Sequence, residues 1–224
     1  MISAVLFDLD GTLADTAPDL GHVLNLQRAA RGMLPLPISY LRRFASMGAR
    51  GLIKAGFELD PVDEGFGPLS NEFHELYARH LCRDTRLFPG MNDVLGWLDD
   101  RDIAWGIVTN KVQRFTVPLV QYLGLTERAR SVVSGDTCSR AKPHPEPLLR
   151  ASSECAVEPD RCLYVGDDER DVRAGRAAGM RVAIARYGYL GAGRPPEAWG
   201  GDALIDAPTD LVSYLSGPET PDVR

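Results

Sequence analysis

Five short apolar runs recur along the chain, each about the length of one strand. Residues 2–7 read ISAVLF, and IAWGIV (103–108), SVVS (131–134), CLYV (162–165) and RVAIA (181–185) follow. Continuous apolar character with many β-branched residues is the pattern of parallel strands buried on both faces. Between the runs the period lengthens to that of a helix. Val94, Leu95 and Leu98 share one face, as do Phe115, Leu119, Val120 and Leu123, and then Leu148 and Leu149 with Ser152 and Cys155. Strand alternating with helix predicts an α/β fold, a Rossmann-like doubly wound parallel sheet with helices on both faces. Open sheets of this kind bind ligands at the carboxyl ends of their strands.

Residues 16 to about 87 break the rhythm and hold no convincing strand. Thr16-Ala-Pro-Asp19 reads as a helix start, with Pro18 in the first turn and Asp19 in the capping-box position. Leu20, Val23, Leu24 and Gln27 follow at helical spacing, and Phe66, Leu69, Phe73, Leu76, Tyr77 and His80 form a second helical stripe. The ordinary reading of that aromatic stripe is the core of a helix bundle. The expected organisation is therefore a core of residues 1–15 and 88–224, with residues 16–87 as a small all-helical cap inserted after the first strand.

Composition narrows the function classes. The 224 residues suffice for one large domain or two unequal ones, and 44% hydrophobic with 25% charged residues is globular. A net charge of −6 with no Lys/Arg-dense stripe argues against a nucleic-acid partner. Arginine outnumbers lysine 22 to 3, so Lys54, Lys111 and Lys142 each invite inspection. Cys82, Cys138, Cys155 and Cys162 form no CxxC pair and read as reduced structural thiols. With no signal-peptide pattern at the N-terminus and no apolar run near the ~20 residues of a membrane span, a soluble cytoplasmic protein is expected.

Four polar segments each follow an apolar run. They are Asp8-Leu-Asp10-Gly11-Thr12, Val108-Thr109-Asn110-Lys111, Ala141-Lys142-Pro143 and Val165-Gly166-Asp167-Asp168, with Asp171 three residues on. Each alone has a bland explanation. Lys142 could be a solvated loop cation, Thr109 could satisfy its own backbone, and Asp171 could be an acid favoured by a helix dipole. Together they bring three or more carboxylates to strand ends, a hard-oxygen site suited to Mg²⁺.

In this order, the four segments resemble the four motifs of the haloacid dehalogenase superfamily, over essentially the whole chain. The helical insert is similar to that superfamily's small cap. The resemblance implies that Asp8 attacks phosphorus to form an aspartyl-phosphate and that Asp10 is the general acid–base. It further implies that Asp8, the Asp10 carbonyl and Asp167 hold Mg²⁺. Thr109, Asn110 and Lys142 would bind the phosphate, and Asp168 and Asp171 would support the site from behind. The cap segment SMGARGL, with Gly48 and Arg50, looks like a substrate-facing turn. Asp15 reads as a hinge or helix-entry hydrogen bonder.

The presence of Asp10 argues against a dehalogenase or phosphonatase, which have no alcohol to protonate, and Lys54 is the only cap lysine available for a phosphonatase Schiff base. The wording of the motifs is most similar to phosphoglycolate phosphatases, and closer still to the N-acetylmuramic acid 6-phosphate phosphatase branch of peptidoglycan recycling, through GAR, RYGY (186–189) and WG (199–200). A small phosphate ester as substrate and a monomer or homodimer are expected. The alternatives are a mutase of the β-phosphoglucomutase type and, behind it, a phosphonatase or a non-catalytic binding protein on the same fold.

Overall fold

A computed structural model describes residues 1–191 and 193–217. The first half runs β1 (Ala4–Phe7), β2 (Ala14–Asp15), α1 (Ala17–Ala29), α2 (Ile38–Leu41), α3 (Gly48–Phe57), α4 (Phe66–His80) and β3 (Arg86–Leu87). The second half continues with α5 (Met91–Asp99), β4 (Ala104–Val108), α6 (Gln113–Tyr122), β5 (Ser131–Val133) and α7 (Glu146–Glu154). It closes with β6 (Cys162–Gly166), α8 (Glu169–Ala177), β7 (Arg181–Ala185), β8 (Ala203–Ile205) and α9 (Asp210–Ser216).

Six strands form one parallel sheet in the order β5-β4-β1-β6-β7-β8. All four residues of β1 are fully buried, and their side chains alternate between the faces, as strand geometry requires. Val5 and Phe7 enter a cluster with Leu98 of α5, Leu119 of α6 and Leu211 of α9. Ala4 and Leu6 enter another with Leu148 of α7 and Ala174 of α8. Burying a side chain such as Phe7 or Leu6 contributes about 1.5–3 kcal/mol. Leu149, expected on the buried face of α7 beside Leu148, is 42% exposed. All four cysteines are free.

The five predicted strands are present, and the structure adds to them. β8 extends the sheet beyond β7, with Ala183 paired to Ala203. β2 and β3 form a two-residue antiparallel ribbon, Ala14 opposite Leu87 and Asp15 opposite Arg86. A short strand therefore does lie in the stretch read as strand-free. The helices α1–α4 fall between the two strands of this ribbon and pack on one another through Leu24, Leu52, Ile53 and Phe73. Among the described residues no helix is long and apolar enough to cross a membrane.

The capping box expected at α1 is absent. Thr16 occupies the N-cap position with no side-chain cap bond, and its hydroxyl donates to Asp10. Asp19 is fully buried and accepts from the Asp84 backbone N–H (2.7 Å) and from the Thr85 hydroxyl (2.7 Å) and N–H (3.3 Å). It ties the start of the helical insert to its end. Asp19→Ala would strand these donors and should cost on the order of 1–3 kcal/mol or more, because unpaired buried donors lose their solvation. Asp19→Asn, which keeps an acceptor oxygen, should cost less. Urea midpoints read this directly, and equal midpoints for wild type and Asp19→Ala would refute the tie.

Candidate active site

The chain leaves β1, crosses to β4 and β5 on one side, and returns to β6, β7 and β8 on the other. The order reverses between β1 and β6, so a crevice opens at their carboxyl ends. Asp8 emerges from β1 at that point, with its backbone N–H donating to Val165 of β6 (2.9 Å). The chain then turns through Gly11 at φ +87°, where a Cβ would run into the Asp167 carboxylate. Glycine meets both demands at once.

Lys142 is 5% exposed and faces four acceptors with three N–H bonds. They are Asp8 Oδ1 (2.9 Å), Asp171 Oδ1 (2.7 Å), the Val108 carbonyl (2.9 Å) and the Tyr164 hydroxyl (2.7 Å). Asn110 aims this lysine. Its Oδ1 accepts from the Lys142 N–H (3.0 Å) and its Nδ2 donates to the Lys142 carbonyl (2.9 Å). Thr109, 2% exposed at the end of β4, accepts from the Lys111 N–H (3.1 Å). Tyr164, inside β6, carried no signal in the sequence beyond its place in an apolar run.

Asp167 is fully buried and accepts from Thr12 Oγ1 (3.1 Å), Ser46 Oγ (3.3 Å) and the Tyr189 N–H (2.7 Å). Asp168 caps α8 in a capping box with Asp171, whose second oxygen accepts from the Asp168 N–H (3.1 Å). Asp171 thus both shapes the helix start and holds Lys142. The Asp10 carboxylate turns away from this group. It accepts from Thr16 and from Lys111 Nζ (2.8 Å), and the Lys111 ammonium lies 4.8 Å from the Tyr77 ring centroid. Lys111 stood out in the sequence as one of three lysines, without a role; the fold pairs it with Asp10.

A cavity of about 550 Å³ opens over these residues. Asp8, Asp10, Thr109, Asn110, Lys142, Asp168 and Asp171 line its floor, and Gly48 and Arg50 line it from the helical insert. Gly48 has φ +57°, which suits glycine at the turn into α3, and Arg50 is exposed with no side-chain hydrogen bond or ion pair among the described residues. Arg170 also lines the cavity, though nothing in its sequence context singles it out. It grips Asp168 with two nitrogens (2.8 and 2.9 Å) and donates to the Ser46 carbonyl (2.8 Å), bridging core and insert. Lys54 lies outside the lining and pairs with Asp60 (2.5 Å), so it does not offer its amine to the cavity as a phosphonatase Schiff base would require.

The charge balance of the floor is uneven. Ligand oxygens of Asp8, Asp167 and Asp171 lie within 4.8 Å of one another, and Lys142 is the ammonium among them. With all three carboxylates ionised, one ammonium would leave two negative charges uncompensated. Burial pushes the Asp8 carboxyl up to about 7; Lys142 opposes this, and Asp171 and Asp10 add to it. Burial, with Asp8 and Asp171 nearby, raises Asp167 well above the usual carboxylate range. Burial opposes the charge on Lys142, but Asp171 and Asp8 outweigh it and keep the ammonium protonated. A hard divalent cation fits this donor set, because it brings the two positive charges that the floor lacks.

The sequence profile of the haloacid dehalogenase-like hydrolases matches residues 5–185. The chain belongs to the haloacid dehalogenase-like hydrolases. Over 214 residues it is 41% identical to an N-acetylmuramic acid 6-phosphate phosphatase of Pseudomonas aeruginosa, covering 96% of this chain and 95% of that one. It is 38% identical over 217 residues to a phosphoglycolate phosphatase of Xanthomonas campestris pv. campestris, with 96% and 97% covered. The crystal structure of a predicted phosphoglycolate phosphatase from Haemophilus somnus superposes with a TM-score of 0.83 at 24% identity, covering 96% and 98%. This haloacid dehalogenase-like hydrolase is a phosphatase enzyme of that family.

The crowded carboxylates predict a signature in stability. A carboxyl whose folded value exceeds its unfolded one makes the folded chain hold more protons between the two values. Stability of the metal-free protein should therefore fall as pH rises from 3.8 to about 7. Added Mg²⁺ should raise the melting temperature more at pH 7.5 than at pH 5, with a gain of about 2.7 kcal/mol at roughly 100 times its Kd. Thermal melts with EDTA and with Mg²⁺ at the two pH values check this. An equal shift at both would mean that the Asp8 and Asp167 carboxylates do not form the cation site.

Proposed function

We propose that this phosphatase cleaves the phosphate monoester of a small carboxylate-bearing metabolite, N-acetylmuramic acid 6-phosphate or 2-phosphoglycolate, through a phosphorylated Asp8. The observation that carries the reading is the Asp8–Lys142 ion pair (2.9 Å) on the floor of an open cavity, with Asp10 lining the same space. It is supported by relatives that carry these two activities in their names.

In the first step an Asp8 oxygen attacks phosphorus, and the bond from phosphorus to the alcohol oxygen breaks. Asp10 gives its proton to that departing oxygen. In the second step water attacks the phosphorus of the aspartyl-phosphate while Asp10 takes up a proton from it. The phosphorus–Asp8 bond then breaks, releasing phosphate and restoring the carboxylate. Lys142 sets its fixed positive charge beside Asp8 throughout, and Asn110 and Tyr164 hold it there. Thr109 would contact the phosphoryl oxygens. The carboxylates of Asp8 and Asp167 with the Asp10 carbonyl would hold Mg²⁺, which when bound supplies positive charge against the nucleophile and the transferring group. Asp168 and Asp171 support this set by fixing the start of α8 and the position of Lys142.

Residues 1–15 and 88–224 would act as the catalytic core, and residues 16–87 as a cap that covers it. The core can read only phosphate, a group common to every candidate substrate, so the leaving group must be read from the insert. Arg50, unpaired at the cavity wall, would take the substrate carboxylate. The reading places the enzyme in the cytoplasm, where such metabolites arise.

Asp8→Asn should abolish turnover of p-nitrophenyl phosphate in the presence of Mg²⁺ while keeping the wild-type circular dichroism spectrum. Asp10→Asn should fall about 10²- to 10⁴-fold, the usual worth of a positioned acid–base group. Wild-type rates in purified Asp8→Asn would exclude the aspartyl-phosphate route.

Arg50→Ala should lower kcat/KM for the carboxylate-bearing substrate relative to p-nitrophenyl phosphate. One charge-assisted contact is worth about 1.5–3 kcal/mol, or roughly 10- to 150-fold in that ratio. An unchanged ratio would return Arg50 to the role of a solvated surface arginine.

A further inference from the structure

The aromatic stripe of α4 has two sides. Leu69, Phe73 and Tyr77 are buried, and Phe66, Ser70 and His74, spaced four residues apart, are half-buried; all but Leu69 border the cavity. The His74 ring stacks on Phe115 of α6 (centroids 5.8 Å apart, planes 28°), and Tyr77 backs Phe115 edge-on (5.1 Å, 67°). Phe115, 4% exposed and brought from a distant part of the chain, thus backs the His74 ring at the cavity wall. Burial, with Arg114 and Lys111 nearby, lowers the pKa of His74 and keeps its ring neutral. Arg50 and Arg170 supply cationic groups to the same cavity.

We propose that His74, backed by Phe115, and Phe66 form a platform for the ring of the leaving group, which selects phosphate esters of pyranose size over two-carbon acids. The inference rests on the phosphatase reading above and adds to it the surface that chooses the substrate. Pockets that hold ring-sized ligands have volumes of roughly 300–1,000 Å³ and pair apolar walls with a few placed polar groups. This cavity, at about 550 Å³, has that make-up. A two-carbon phosphate ester reaches the floor and a cation but offers the aromatic wall nothing to cover. A pyranose carrying an acyl group and a carboxylate would meet both sides. Binding energy gathered on a remote part of the substrate can be expressed as rate at the reacting phosphorus.

The test compares kcat/KM for N-acetylmuramic acid 6-phosphate with that for 2-phosphoglycolate in wild type, His74→Ala, Phe66→Ala and His74→Phe. Wild type should favour the sugar phosphate. In His74→Ala the ratio should fall about 10- to 100-fold, the range for losing an apolar contact in a specificity pocket. Phe66→Ala, a half-buried position that folding tolerates more readily, should shift it the same way. His74→Phe, which keeps a ring, should restore it. An unchanged ratio in both alanine variants, or a wild-type preference for 2-phosphoglycolate, would overturn the platform. Failure of the phosphatase reading is separately visible, because wild type would then leave p-nitrophenyl phosphate intact.

Discussion

Three carboxylates share one ammonium at the carboxyl ends of β1 and β6, and much of the local structure answers to that crowding. Desolvated like charges disfavour one another, so each needs donors fixed in place. Thr12, Ser46 and Tyr189 supply them to Asp167, and Lys142 with the Tyr164 hydroxyl supplies them to Asp171. Gly11 leaves the space in which Asp8 and Asp167 approach. Even fully hydrogen-bonded, the group holds more carboxyls than ammoniums. That imbalance makes the floor receptive to a cation, and it keeps Lys142 against Asp8.

The second tier of charge is arranged to keep the first from being disturbed. Lys111 and Thr16 hold Asp10 apart from the Asp8–Asp167–Asp171 group, although Asp10 is only two residues from Asp8 in sequence. Arg170 neutralises Asp168 and touches the Ser46 backbone, so the acidic loop after β6 is braced by the insert as well as by its own helix. Two acids of one short motif therefore end with different partners, Asp8 with Lys142 and Asp10 with Lys111 and Thr16.

Much of this was legible in the sequence because the relevant signals are local. Five strands announced themselves as unbroken apolar runs, and four polar segments followed them directly. What escaped depended on distance. β8 is three residues long and finds its register only against β7, and the β2–β3 ribbon, two residues per strand, is too short to show a period. Asp19 stood in a capping-box position, but its partners lie 65 and 66 residues onward, and tertiary bonds won over the local cap. The stripe of α4 read as bundle core. Its spacing could not reveal that Phe66 and His74 sit on the face turned to a cavity, because the opposing ring, Phe115, belongs to another part of the chain. Lys111 stands out in the sequence by rarity and by its place in the second polar segment, but neither shows its partner, Asp10, 101 residues away, and Arg170 is one of 22 arginines.

The β2–β3 ribbon sets the mechanics of the insert. Both passages of the chain, outward after Asp15 and inward before Leu87, run through the same two-residue ladder. Arg42 from the insert clamps Asp15 with two nitrogens, and the Tyr189 hydroxyl donates to Asp15 while accepting from the Thr16 and Ala17 N–H groups. Ser46 of the insert makes a second attachment across the crevice, donating to Asp167 and accepting from Arg170. With the ribbon on one side and these two bonds on the other, the insert spans the crevice like a bridge on two piers, and the space open to a substrate is the gap between them.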